Sequence, residues 1–271
     1  MTNPDRMASV RHKLARANAL MVQAYDALVA FQATSPCRIN VRREPATNVP
    51  IYFVSELEPV PPAIPLLIGD ALHNFRSTLD HLAYQLVLVG LGTKKPQAHV
   101  YFPIARDLAT YQAESPRKTR GMSVAAKDAI DALEPYGGGK GAHFWGLHEL
   151  ENTDKHRLIL PTVAGLHSIN VGEEILERFK AQSPDFFAKA PEEFFREAFN
   201  LELIPAGERY PLNVGDEVYR GDPSVPSVKL SVKYGFVFGA SVLAGQPIPG
   251  TIKALAREVE RVVTLLEAFV T

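Results

Sequence analysis

The sequence has one cysteine, no excess of charge of either sign and no long apolar run. A single cysteine, Cys37, excludes an intramolecular disulfide and is typical of proteins from a reducing compartment. The 29 lysines and arginines balance 30 aspartates and glutamates, so no overall basic field attracts nucleic acid or an anionic membrane. No segment reaches the roughly 18 unbroken apolar residues of a membrane span. We therefore predict a cytoplasmic protein with no membrane partner.

The motifs of several enzyme classes are missing as well. The chain lacks HExxH, a pair of cysteines and any two histidines three or four residues apart, so no standard metal-ligand spacing is present. The glycine cluster at residues 137–141 contains Lys140 but not the spacing of a phosphate-binding P-loop, and it is typical of a flexible loop. No Gly-x-Ser-x-Gly elbow supports serine-hydrolase chemistry. We accordingly predict no cofactor and no metal at a standard site.

Two long heptad-like patterns are present. Apolar residues recur at alternating steps of four and three from Val10 to Phe31, and in the same rhythm from Ile252 to Phe269. This spacing predicts amphipathic helices over about residues 5–33 and from about residue 250 onward. Each apolar seam needs a partner, so we expect the two helices to pack together, either within one chain or between the chains of a homodimer.

Between these two helices, segments whose apolar residues have the spacing of a helix alternate with segments whose apolar residues have the spacing of a strand. Alternation at about residues 38–43 and 49–56 around a turn predicts a β-hairpin. A long helix is expected over about residues 63–89, ended by two glycines, and an irregular connection over about residues 92–121 follows it. The chain then continues with a helix capped by Ser123 and a further helix that ends before Pro161.

The second half is richer in strand-like segments. These lie near residues 157–171, 199–204, 215–220 and 227–243, with a Phe-rich helical stretch near residues 184–198. The predicted fold class is therefore α+β: a helical bundle of long N-terminal, central and C-terminal helices, with a small β-hairpin and an antiparallel sheet in the second half.

The domain prediction follows from this order of elements. A helical bundle over about residues 1–160 carries the hairpin as an insertion at about 38–56, and a β-rich region over about residues 161–271 is closed by a C-terminal helix that packs on the bundle. We expect the two parts to form one compact unit.

Two polar strings interrupt otherwise apolar helices: GDALHNFRSTLDH at residues 69–81 and WGLHELENTDKHR at residues 145–157. On a helix, the first string places the following polar residues within about 60° of one line: Asp70, His73, Asn74, Ser77 and His81. Short polar side chains are mediocre helix formers, because they compete for the backbone. Their choice over Lys and Glu favours a buried or half-buried polar site, and the alternative is a plain solvated face.

The second string has the same character. Trp145, His148, Asn152, Lys155 and His156 share one side of its helix. If the two polar stripes face each other, up to four imidazoles and two or three carboxylates meet, which suits acid–base chemistry or one metal ion. In the alternative interpretation, Asp154, Lys155 and Arg157 are helix-end charges, and Arg76 with Asp80 forms an exposed salt bridge.

The motifs GDxLHNxRSxLDH and DKHR resemble those of a family of uncharacterised proteins from bacteria and their phages, over most of the chain. In addition, Arg76-x4-His81 resembles the Arg-x4-6-His motif of HEPN ribonucleases, which are all-helical and dimerise to build a metal-independent RNA-cleaving site. The second resemblance implies that His81 is the acid–base group, Arg76 the phosphate clamp and Ser77 the polar neighbour of the arginine.

The leading hypothesis is an acid–base site on the two polar helices, with RNA phosphodiester cleavage as the reaction. The predicted roles are proton transfer by His81 and His156, phosphate binding by Arg76, Lys155 and Arg157, and orientation by His73, Asn74, Asp80 and Asp154. A second hypothesis is a non-catalytic binding or assembly protein in which these residues form a buried network that fixes helix register. A third is a metal-dependent hydrolase bundle.

Overall fold

A computed structural model describes most of the chain. The described residues are 5–92, 100–156, 162–187, 201–204, 210–228, 230–239 and 241–270. Lys155 and His156 are described as main chain only.

Eight helices and six strands are formed by these residues, which confirms the α+β fold class. The helices are α1 (Ala8–Ala33), α2 (Ala63–Leu91), α3 (Leu108–Lys118), α4 (Val124–Asp131), α5 (Ala142–His156), α6 (Gly172–Gln182), α7 (Pro184–Phe187) and α8 (Ile248–Glu267). The strands are β1 (Cys37–Arg43), β2 (Pro50–Leu57), β3 (Thr162–Asn170), β4 (Glu202–Leu203), β5 (Glu217–Arg220) and β6 (Ser231–Phe238). No helix in this part of the chain is both long and apolar enough to cross a membrane.

The chain divides into two compact units. The helical unit consists of Met1–Val29, Pro61–Pro161 and Ala240–Thr271, and the strand unit of Ala30–Val60 and Thr162–Gly239. Both units are discontinuous in sequence, so neither coincides with residues 1–160 or 161–271 of the predicted division. The hairpin belongs to the same unit as the later strands, and α8 belongs to the unit of the other long helices.

Helix α2 is the central element of the helical unit. Its buried side carries the apolar residues Leu72, Phe75, Leu79, Leu82 and Leu86. The helix ends at Gly92, which has a φ of 63° and donates its N–H to the carbonyl of Leu88. A positive φ is easily adopted by glycine, so Gly92 ends the helix as predicted, whereas Gly90, the other predicted terminator, lies within the last turn.

The other long helices pack around α2. Helix α8 packs against both α2 and α5, with Val259 and Val262 fully buried. Two side-chain contacts join α1 to α8: Arg11 with Glu267, and Asn18 with Glu260. From the first contact to the second, the residue number rises by seven in α1 and falls by seven in α8. The two helices therefore run antiparallel with facing heptads.

Two helices lie where no helix was predicted. Helix α3 falls in the stretch interpreted as an irregular connection, and α6 falls between predicted strands. Asp107 caps α3 by accepting a hydrogen bond from the Thr110 N–H (2.7 Å), and Pro116 lies inside the helix. Proline is disfavoured in the interior of a helix, so the local sequence pattern did not predict α3. The helix begins at its Asp107 cap.

The strand unit contains two antiparallel sheets of three strands. The predicted hairpin is confirmed as β1 and β2, but β5 pairs with β2 and extends it, giving the order β1-β2-β5. The second sheet has the order β4-β3-β6. Strand β5 lies in the second half of the chain, but it therefore belongs to the sheet of the hairpin. A shared core of Tyr52, Val54, Ile169 and Val218 holds the unit together.

Candidate functional site

The two polar strings meet where α2 packs against α5. Nδ1 of His73 on α2 lies 3.0 Å from a carboxylate oxygen of Glu151 on α5. Close approach of the helices depends on Gly69, because a Cβ at this position would lie within 3.0 Å of the Asp154 carboxylate. Residues from both strings thus share one site.

At this contact the Ser77 hydroxyl, the His73 imidazole and the Glu151 carboxylate lie next to one another in space, in that order. The side chain of Glu151 is only 4% exposed, while that of His73 is 41% exposed. An ionised Glu151 carboxylate only accepts, so it pairs with the tautomer of His73 that carries a hydrogen on Nδ1, and in that tautomer Nε2 is an acceptor. The Ser77 hydroxyl lies 3.4 Å from Nε2, one helical turn further along α2. The buried carboxylate therefore orients the imidazole toward the hydroxyl.

Further carboxylates surround this chain of three groups. Burial raises the pKa of Asp154, and the negative charges of Asp70 and Glu151 raise it further, while His73 opposes them. Asp70 is exposed. The surroundings of His73 are consequently acidic.

Arg76 and Asp80 form a second arrangement on α2, and it is directed at main chain. Their side chains are paired at 2.9 Å and are 9% and 23% exposed. Arg76 donates to the carbonyl of Phe102 (3.1 Å), and Asp80 accepts from the N–H of the same residue (2.9 Å). The pair is therefore not the exposed salt bridge of the alternative interpretation, and it holds the segment that contains Phe102 against α2. The phosphate-binding role of Arg76 and the orienting role of Asp80 stay predictions.

His148 lies close to this pair but has different partners from His73. The Asn152 side-chain amide is 3.0 Å from its Nε2. Burial lowers the pKa of His148 to about 4, with the positive charge of Arg76 as the next cause. His148 is therefore neutral at physiological pH.

His81 and Asn74 lie toward α1. Nζ of Lys13 donates to the Asn74 side-chain oxygen (3.3 Å). Burial lowers the pKa of His81, Lys13 lowers it further, and Asp80 raises it. His81 and Arg76 are five positions apart, which turns them about 140° from each other around α2. The HEPN-like pair therefore points to different sides of the helix.

The side chains of three of the four imidazoles are described, so the cluster of four stays a prediction. His73, His81 and His148 lie among different partners: Glu151, Lys13 and Asn152 respectively. The side chains of Lys155 and His156 and the whole of Arg157 lie outside the described residues. In the glycine cluster, Lys140 pairs with Glu134 at 2.9 Å. No group of three metal-ligating side chains occurs in the described ranges.

Glu151 was missed as a site residue. Glu151 follows Leu147 by about one helical turn, and Leu147 is fully buried. An acidic residue on an apolar side is rarely buried without a partner, and that contradiction was the available signal. No protein-family model, no curated protein and no solved structure matches this chain.

Proposed function

We propose that the α2–α5 contact is a hydrolytic site in which His73 is the general base and Ser77 is the nucleophile. The observation that supports it is the order of Ser77, His73 and the buried Glu151. A hydroxyl next to a base that a third group orients is the arrangement of nucleophilic acyl transfer on many unrelated folds. It needs no Gly-x-Ser-x-Gly elbow, because the base lies one turn away on the same helix.

The chemistry follows from the three groups. The Ser77 proton passes to Nε2 of His73 as the serine oxygen bonds to an acyl carbon. The imidazolium then returns that proton to the leaving alcohol or amine as its bond to the acyl carbon breaks. Glu151 stabilises the imidazolium between these steps. Water, deprotonated by His73 in the same way, releases the carboxylic acid and restores Ser77.

The electrostatics favour a neutral or cationic acyl substrate. Asp70 and Asp154 contribute negative charge beside His73, and Arg76 is held by Asp80 and Phe102. A polyanion such as RNA is repelled by such surroundings.

A fluorophosphonate probe tests the proposal, because it transfers a phosphonyl group to an activated serine with loss of fluoride. We expect wild-type protein to gain one adduct, located at Ser77 by peptide mass spectrometry, and Ser77→Ala and His73→Ala to gain none. Ser231→Ala, an exposed position at the start of β6, is the matched control and keeps the adduct. Unmodified, folded wild-type protein would contradict the proposal and favour the register-fixing network.

RNA cleavage at His81 is a second candidate, and a separate observation favours it. His81 has a lowered pKa and lies beside Lys13, so a neutral imidazole and a cation for phosphate occur together. Cleavage of a mixed RNA pool in EDTA, lost in both His81→Ala and Lys13→Ala at unchanged thermal stability, is the expected result. Cleavage that persists in both variants would rule out this candidate.

A further inference from the structure

A cavity of about 580 Å³ opens in the strand unit between β1 and the segment leading into β6. One wall contains five consecutive residues of β1, from Cys37 to Val41. Successive side chains of a strand point to opposite faces, so a cavity that touches all five lies along the edge of the strand. We call this cavity the β1 groove.

Along the edge of β1 that borders the groove, main-chain N–H and C=O groups point away from β2. In the order β1-β2-β5, strand β1 is the outer strand. Glu44 N–H donates to the Val49 carbonyl, and the neighbouring pair joins Arg43 to Pro50, which has no N–H. Hydrogen-bonded and non-bonded pairs alternate in antiparallel ladders, so Arg43, Val41 and Ile39 direct their N–H and C=O groups away from β2.

The opposite wall is apolar. Val228, Leu230 and Val232 line it, and Val232 lies in β6. Leu230 is only 8% exposed, so Val228 and Val232 carry most of the accessible apolar surface of this wall. Tyr52 fixes this wall, because its hydroxyl donates to the Val228 carbonyl (3.0 Å) and accepts from the Val228 N–H (3.2 Å).

Charge decides between a second copy of β1 and a different strand. All three charged residues of β1 are arginines: Arg38, Arg42 and Arg43. Two copies of this strand would place like charges side by side, which is how natural edge strands avoid self-pairing. Arg38 is the charged residue of the groove lining, and its pair with Glu56 is 3.3 Å long and largely exposed. Exposed pairs of this kind exchange partners at little cost.

We propose that the β1 groove binds an acidic, extended peptide segment of another protein by strand addition to β1. The segment contributes five to seven residues, places apolar side chains on Val228 and Val232, and presents a carboxylate to Arg38. Main-chain hydrogen bonds to the β1 edge hold it, and the apolar wall together with Arg38 selects it. This surface is independent of the α2–α5 site.

Fluorescence anisotropy with a fluorescein-labelled heptapeptide tests the proposal. In the probe, valine alternates with threonine and the central residue is glutamate. A second peptide has lysine at the centre. We expect the glutamate peptide to bind wild-type protein about fivefold more tightly than the lysine peptide, and Arg38→Glu to reverse that order.

A main-chain variant separates strand addition from simple charge attraction. Val41→Pro removes an N–H that points away from β2, and edge strands tolerate proline at such positions. We expect it to weaken binding of the glutamate peptide by about fivefold or more, while Val41→Thr, which keeps the N–H, binds as wild type does. Thermal unfolding confirms that both variants fold.

Three results would overturn the proposal. Absence of binding by the glutamate peptide excludes such a partner, and equal affinity of Val41→Pro and Val41→Thr excludes strand addition. A concentration-dependent dimer that Val41→Pro dissociates assigns the edge to a second copy. Protection of the Cys37 thiol from maleimide by the bound peptide is the expected independent sign of occupancy, because Cys37 lines the groove.

Discussion

His73 and Arg76 lie three residues apart on α2, and each pairs with a carboxylate, but the two pairs differ in what surrounds them. Glu151 is buried while His73 is partly exposed, so one end of that pair faces solvent. In the other pair the guanidinium is 9% exposed, and both partners bind the main chain of Phe102.

This difference suits the first pair to chemistry and the second pair to structural support. A substrate has access to an imidazole that is half-exposed and held at Nδ1. The Arg76 guanidinium is buried instead, with Nη2 bound to Asp80 and the Phe102 carbonyl and with Nη1 making no hydrogen bond to the described residues. The residue chemistry of the two pairs is similar, and burial distinguishes them. Substitutions at each pair should therefore affect different measurements.

Removal of Arg76 has the largest expected effect. Arg76→Met leaves Asp80 without its cation and the Phe102 carbonyl without a donor, so the free energy of unfolding should fall by about 3 kcal/mol. Urea denaturation measures it. Arg11→Met, which breaks exposed pairs with Asp5 and Glu267, is the control and should lose less than about 1 kcal/mol. Equal losses in the two variants would remove the distinction between the pairs.

Glu151→Gln should affect reactivity more than stability. The amide oxygen still accepts from His73, but it no longer stabilises an imidazolium, so fluorophosphonate labelling of Ser77 should slow by at least about 100-fold. The rate of adduct formation in wild type and variant measures this. A variant that labels at the wild-type rate shows that Glu151 is only structural.

Gly69→Ala tests the close approach of α2 and α5. Alanine is the better helix former, but its Cβ would meet the Asp154 carboxylate, so the free energy of unfolding should fall by about 1–2 kcal/mol. Gly250→Ala on α8, where a Cβ would meet nothing within 4 Å, should instead stabilise by about 0.5–1 kcal/mol. Adding Asp154→Ala to Gly69→Ala should restore the stability, and failure to do so would place the clash elsewhere.

The smallest effect concerns pH. The pKa of His148 is about 4 when folded and about 6.5 when unfolded, so the unfolded chain binds more protons between these values. The stability from neutral His148 is complete above pH 6.5 and declines as the pH falls toward 4, by about 1 kcal/mol after allowance for partial exposure. His148→Gln should flatten this decline. Denaturation at several pH values, followed by the fluorescence of neighbouring Trp145, provides the measurement.

Local signals made much of the fold predictable. The predicted helix over residues 63–89 is found as α2, because a sustained apolar stripe and a terminal glycine act within a few turns. The hairpin was equally local. Helix α3 was not predictable from its apolar pattern, since Pro116 and its polar residues contradict a helix that Asp107 begins.

The candidate site was predictable as a location but not as a set of contacts. Short polar residues inside α2 and α5 marked the two strings. Which side chains meet depends on how each helix is rotated in the packed unit, and α5 turns Glu151 toward His73, while His148 contacts Asn152. The predicted roles of His81 and Arg76 stay predictions.

The segmented composition of the helical unit has a consequence for synthesis of the chain. The 91 residues 157–247 separate the end of α5 from the start of α8, although α8 packs on both α2 and α5. At ribosomal rates this leaves those helices for about ten seconds without their last partner. A nascent chain with such exposed apolar faces is a natural substrate for chaperones, and truncation before α8 should yield aggregates rather than a smaller folded protein.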